Sequence, residues 1–90
     1  MALPSGEPDT TVLPGSVLVI GACGQLGLEL VAALRQRYAP NLVVAADVRP
    51  PKNSDLLAGG PFELLDVLDR SRLDKLIRQY RPKQIYHLAA

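Results

Sequence analysis

The chain alternates short runs that are apolar at every position with longer stretches in which apolar residues recur every three or four positions. Residues 17–20 (VLVI) form the first such run, and Gly21 closes it. A run of this kind predicts a strand buried on both faces, as in a parallel sheet. GACGQLG follows, then LELVAALRQRY, in which Gly27, Leu30, Val31, Leu34 and Tyr38 share one helical face. Arg35 and Arg37 lie near the end of this helix, where the dipole favours cations, and Pro40 stops it.

Residues 42–46 (LVVAA) read as a second buried strand, closed by Asp47. Residues 49–60 hold Pro50, Pro51, Gly59 and Gly60 and read as a loop. Residues 62–65 are a short third strand that ends at Asp66. Asp69 or Ser71 can cap a second helix, in which Leu73, Leu76, Ile77 and Tyr80 share a face before Pro82 ends it. Residues 84–89 (QIYHLA) are a fourth strand.

Strands alternating with helices predict an α/β fold, a Rossmann-type doubly wound parallel sheet. Right-handed crossovers give the strand order 3-2-1-4. Residues 16–90 would make the N-terminal half of such a sheet, with strand 4 as an apolar edge of the kind proteins avoid. Residues 1–15 (MALPSGEPDTTVLPG) read as a flexible leader without the basic or apolar segments of a targeting signal.

Gly21, Gly24 and Gly27 fall at G-x-x-G-x-x-G between a strand and a helix. The first allows a tight turn, the second a close approach of backbone to a pyrophosphate, and the third close helix–strand packing. Amides at Gln25 and Leu26 would face the phosphates, favoured by the helix dipole. Asp47 lies at the end of the second strand, 20 residues after Gly27, where a carboxylate accepts hydrogen bonds from the adenosine ribose. It would repel a 2′-phosphate by roughly 4 kcal/mol at about 4 Å and an effective dielectric of about 20. Asp47 therefore points to NAD over NADP, and Arg49 is the residue that argues the other way. Asp66 would share the same rim and accept from an adenine amino group, with the backbone of Val67 facing the ring.

Other candidates read as structural. His87, between Tyr86 and Leu88, is expected in the core with a hydrogen-bonded ring nitrogen. Cys23 lies inside the glycine loop, where a helix N-terminus can lower a thiol pKa, but no second cysteine or base accompanies it. It reads as a small loop residue. Tyr38 and Tyr80 read as packing residues.

Composition narrows the field. The chain has 90 residues, 48 % hydrophobic, which is globular composition. Ten basic and nine acidic residues give a net charge of +1, which does not suit a nucleic-acid partner. One cysteine forms no internal disulfide and, with one histidine, makes no ordinary zinc site. No apolar run is long enough to span a membrane. With the single cysteine and the lack of a signal, this favours the cytoplasm.

VLVIGACGQLGLEL, VVAADVRPP, GPFELLDVLD and IYHLAA together resemble the N-terminal half of the extended short-chain dehydrogenases/reductases, which include the NAD-dependent epimerase/dehydratase proteins. The GACGQLG loop, DVRPP and the GPFELLDVLD block look most like the short-chain-type L-threonine 3-dehydrogenases. The resemblance covers about residues 16–90. It implies that residues 21–26 hold the pyrophosphate of NAD, that Asp47, Val48 and Arg49 surround the ribose, and that Asp66 and Val67 meet the adenine. Leu88, Ala89 and Ala90 would line the cofactor. It further implies a homodimeric enzyme that oxidises threonine to 2-amino-3-ketobutyrate with a Tyr-x-x-x-Lys pair as acid/base. That pair is absent here: Tyr38 is followed four residues later by Leu42, Tyr80 by Gln84 and Tyr86 by Ala90. The chain thus reads as the cofactor half of an enzyme, inactive alone, whose small-molecule substrate site lies elsewhere. A nucleotide-sugar epimerase or dehydratase would share every one of these motifs, and a non-catalytic NAD-binding module is the remaining alternative.

Overall fold

The computed structural model describes residues 15–52 and 54–88. Strand β1 (Ser16–Ile20) leads through the glycine loop into helix α1 (Gln25–Arg37), and a 3-10 turn (Pro40–Leu42) leads into β2 (Val43–Asp47). Helix α2 (Ser54–Ala58), strand β3 (Phe62–Leu64), helix α3 (Arg70–Tyr80) and strand β4 (Pro82–His87) follow. All strand pairs are parallel, and the order is β3-β2-β1-β4, as the sequence predicts.

The continuous apolar runs resolve into two faces with a period of two residues. Val17, Val19, Val43 and Ala45 cluster with Val31 of α1, Leu56 of α2 and Ala22 of the glycine loop. Leu18, Ile20, Val44 and Ala46 cluster with Leu65 and with Leu76 of α3. Both faces of β1 and β2 are therefore covered, which is why neither run needed a polar position. Leu30, Leu34 and Tyr38 pack half-buried on the first cluster.

Element ends follow local chemistry. Tyr38 ends α1 with extended backbone, its N–H donating to Leu34 O. Pro40 opens the 3-10 turn, and the preceding Ala39 is extended at ψ 128°, as a residue before proline prefers. Asp69 caps α3 by accepting from the Arg72 N–H at 3.1 Å. Arg81 stops α3 in the left-handed conformation at φ 50°, its N–H donating to Ile77 O.

Two expectations need correction. Residues 49–60 are not all loop: α2 lies within them and sends Leu56 into the first core cluster. A five-residue helix is too short to show a periodicity of its own. His87 is exposed rather than in the core. Among the described residues strand β4 pairs only with β1, and no side chain on it is buried, Ile85 being 48 % exposed. An apolar stretch reports the burial a strand is suited to, and the helices here cover β1 and β2 instead.

Tyr80 does more than pack. Its hydroxyl donates to Glu63 Oε2, and Glu63 Oε1 accepts from Arg72 Nη2 at 2.9 Å, which ties α3 to β3. Burial, and then the bond to Glu63, push the Tyr80 phenol up to about 12. The unfolded value lies near 10, so the stabilisation from this phenol is complete below about pH 10 and is lost as pH rises towards about 12. Urea unfolding of the wild type between pH 8 and 12 (roughly the span of the linkage) should show that alkaline loss, and Tyr80→Phe should flatten it. Equal slopes would count against the assignment.

Candidate functional site

The C-terminal rim of the sheet gathers the ends of β1, β2 and β3 at one edge, the place where open α/β sheets hold ligands. Gly21 turns the chain off β1 at φ 89°, and its N–H and that of Ala22 both donate to Ala46 O, at 2.9 and 3.0 Å. Gly27 sits where α1 crosses that turn. A Cβ on Gly27 would lie 2.3 Å from Gly21 O and 2.7 Å from Ala22 Cα, so no larger residue fits.

Gly24 differs. A Cβ there would meet only Gly21 O, at an ordinary 3.6 Å, and its backbone at φ −76°, ψ 170° suits any residue. The fold does not require glycine at this position. The space a side chain would fill lies in front of the N-terminus of α1, whose N-cap is Gly24 and carries no side-chain cap. The first amides of a helix have no intrahelical partner, and here no side chain covers them. That is a cradle for a group bearing negative charge. Gln25 and Leu26 are exposed in the first turn, Leu26 to 69 %, and the Gln25 side-chain Nε2 donates to Glu29 Oε2 at 3.2 Å.

Asp47 stands beside this cradle at the end of β2, only 6 % exposed. Its Oδ2 accepts from the Cys23 N–H at 2.9 Å, and its Oδ1 from the Arg49 N–H at 3.1 Å. Arg49 Nε approaches Oδ1 to 3.8 Å from an exposed side chain. A carboxylate offers about four acceptor positions, so one position on each oxygen remains for hydroxyl donors. The same side chain thus faces the rim and fixes the glycine loop, a second role that the sequence spacing does not reveal.

Cys23 is half-buried, and its thiol donates to Arg49 O at 3.5 Å. Burial pushes the thiol above its ordinary value, the Asp47 charge adds to this, and Arg49 opposes it. The thiol stays protonated at neutral pH, which suits a packing residue and not a nucleophile. Cys23, Leu28, Arg49, Pro50, Pro51 and Lys52 line a cavity of about 610 Å³ on the α1 side of the loop.

Asp66 lies beyond β3 on the same rim and is exposed. Its Oδ1 accepts from the Leu68 N–H at 3.0 Å, and its carbonyl from the Asp69 N–H at 2.8 Å, so it also shapes the turn before α3. Val67 is half-buried against the second core cluster, and Val48 is 61 % exposed beside Asp47. Leu88 follows β4, its N–H bonded to Ile20 O at 2.8 Å. Ala89 and Ala90 lie outside the described residues. Among the described residues no helix is long and apolar enough to cross a membrane, and no three His, Cys, Asp or Glu side chains converge as a metal would need.

A 3-2-1-4 parallel sheet with an uncovered helix N-terminus after β1 and a carboxylate at the end of β2 defines a Rossmann-type dinucleotide-binding unit. Residues 17–90 match the model of the NAD dependent epimerase/dehydratase family, and the chain belongs to that family. An uncharacterized epimerase/dehydratase of Staphylococcus saprophyticus is 42 % identical over 74 residues, 82 % of this chain and 23 % of that protein. Among solved structures, L-threonine 3-dehydrogenase from Trypanosoma brucei is 40 % identical with a TM-score of 0.76, over 84 % of this chain and 24 % of that one. UDP-glucose 4-epimerase from Thermotoga maritima is 26 % identical with a TM-score of 0.71, over 83 % of this chain and 24 % of that one. The chain thus spans about a quarter of the length of the relatives it matches.

The two glycines predict different losses. Gly27→Ala should lower the thermal midpoint of the protein, because its Cβ meets backbone. Gly24→Val gives up a favoured N-cap residue and should lower the midpoint only slightly, but should abolish NAD binding in calorimetric titration. Retained affinity in Gly24→Val would remove the loop from the cofactor site.

Proposed function

We propose that this chain is the NAD-holding N-terminal portion of a short-chain-type L-threonine 3-dehydrogenase, which oxidises the β-hydroxyl of threonine to give 2-amino-3-ketobutyrate. The observation that carries the cofactor role is Gly24, a glycine the fold does not require at the mouth of an uncapped helix N-terminus. In this reading residues 21–26 hold the pyrophosphate, with the backbone amides of Gln25 and Leu26 in the first turn of α1 facing it. Asp47 accepts from the ribose hydroxyls with the lone pairs that Cys23 and Arg49 leave free. Val48 and Arg49 border the ribose, Asp66 and Val67 meet the adenine, and Leu88 lines the cofactor at the end of β4. Bound NAD supplies the hydride acceptor. The acid/base work belongs to a Tyr-x-x-x-Lys pair that these residues do not contain.

The threonine assignment rests on the higher identity to the T. brucei threonine dehydrogenase than to the T. maritima epimerase, 40 % against 26 % over almost the same share of the chain. An epimerase would carry the same rim and return its hydride to the sugar. The full-length protein should therefore accumulate NADH with L-threonine and NAD. Conversion of UDP-glucose to its epimer without net NADH would replace the dehydrogenase reading with the epimerase one.

Asp47→Ala removes a charged acceptor worth about 1.5–3 kcal/mol. The dissociation constant for NAD should rise by about tenfold or more, while that for NADP falls or holds. An unchanged preference for NAD over NADP would take Asp47 out of the ribose site.

A further inference from the structure

Arg35 lies near the end of α1, and its guanidinium reaches backbone carbonyls in three separate segments. Nε and Nη2 donate to Val43 O at 3.2 and 3.0 Å, Nη1 to Leu56 O at 2.8 Å, and Nη2 also to Pro61 O at 2.7 Å. Gly60 makes room for it: a Cβ there would lie 2.7 Å from Arg35 Nε and 2.8 Å from its Cζ.

The three carbonyls belong to the connection between β2 and β3 or to its flanks. Val43 opens β2, Leu56 lies in α2, and Pro61 immediately precedes β3, where its carbonyl also accepts from the Ala45 N–H at 3.0 Å. A helix of five residues leaves most of its carbonyls without an internal partner and does not sustain itself. Arg35 supplies a donor to one of those carbonyls, and the apolar anchor is Leu56, which shares a cluster with Ala22 of the glycine loop.

The other end of this connection is the rim itself. The Arg49 N–H donates to Asp47, the Arg49 carbonyl accepts from the Cys23 thiol, and residues 49–52 line the cavity beside the loop. The short arm from Val48 to Lys52 is thus held to Asp47 at one end, and α2, which Arg35 holds, follows it in the chain.

We propose that Arg35 is a positioning residue for the adenosine end of the NAD site, setting the arm of residues 48–52 against Asp47 through its grip on α2 and the approach to β3. The proposal rests on the NAD-binding reading above. A guanidinium can serve three carbonyls at once because its donors form a rigid planar fork, which the single ammonium of lysine does not provide.

The test uses the full-length protein with Arg35→Ala and Arg35→Lys. Both should raise the KM for NAD by about tenfold, through a loosened binding arm, and leave kcat within about twofold. Trypsin should cut faster after Lys52 in both variants. Millimolar guanidinium should restore the KM and the protection of Arg35→Ala and leave the wild type unaffected. If Arg35→Ala does not fold, Arg35→Lys carries the comparison.

An unchanged KM alongside faster cleavage would reduce Arg35 to a structural clamp and overturn the proposal. Unchanged cleavage would overturn it at the level of the clamp. A loss confined to kcat would also overturn it, because the adenosine end is remote from hydride transfer. If the wild type itself neither binds nor turns over NAD, the functional reading fails too, and the wild type shows this before any variant is compared.

Discussion

The closest constraint in the molecule is the crossing of α1 over the turn after β1. Gly27 lies against the Gly21 carbonyl and the Ala22 backbone with no space for a Cβ. That approach fixes the direction in which α1 leaves the sheet, and so the direction in which its first amides point. It also keeps Ala22 in the core, fully buried, although it belongs to the loop. With the turn fixed from below, the Cys23 N–H donates to Asp47, the Gly24 N–H donates back to Gly21 O at 3.3 Å, and Gln25 opens the helix.

Asp47 links this loop to the rest of the rim. A buried carboxylate is costly unless it is hydrogen-bonded, and two backbone amides from different segments meet that need. The result is preorganisation. The loop, the end of β2 and Arg49 of the arm beyond it share one acceptor, so a ligand arriving at the rim finds much of the ordering already done. Burial raises the Cys23 thiol, and the carboxylate that holds its amide adds to this by disfavouring a thiolate beside it.

The polar groups away from the rim serve the sheet. Arg35 satisfies carbonyls around the β2–β3 connection, and the Tyr80–Glu63–Arg72 chain ties α3 to the edge strand β3. Both clamp the β3 side of the sheet, where the strand is only three residues long and brings little hydrogen bonding of its own. On the β4 side the buried Ser16 hydroxyl donates to Tyr80 O at 2.9 Å, and the apolar residues of β4 stand exposed.

The sequence by itself determined the parallel α/β class, the order of the strands, the glycine loop and the position of Asp47, because these depend on period, spacing and the special geometry of glycine. Strand-by-strand burial followed the apolar runs only where helices cover them. VLVI and VVAA are buried on both faces, whereas residues 85–88 (IYHL) lie outside the cover, so His87 is exposed. Only the tertiary structure decided which loop glycine is forced by packing and which is free, since both look alike in G-x-x-G-x-x-G and differ only in what a Cβ would touch. Only it found α2, too short for a period. Only it turned Arg35 from a charge near a helix end into a donor for three carbonyls, because those acceptors come from positions 43, 56 and 61, which only folding brings together.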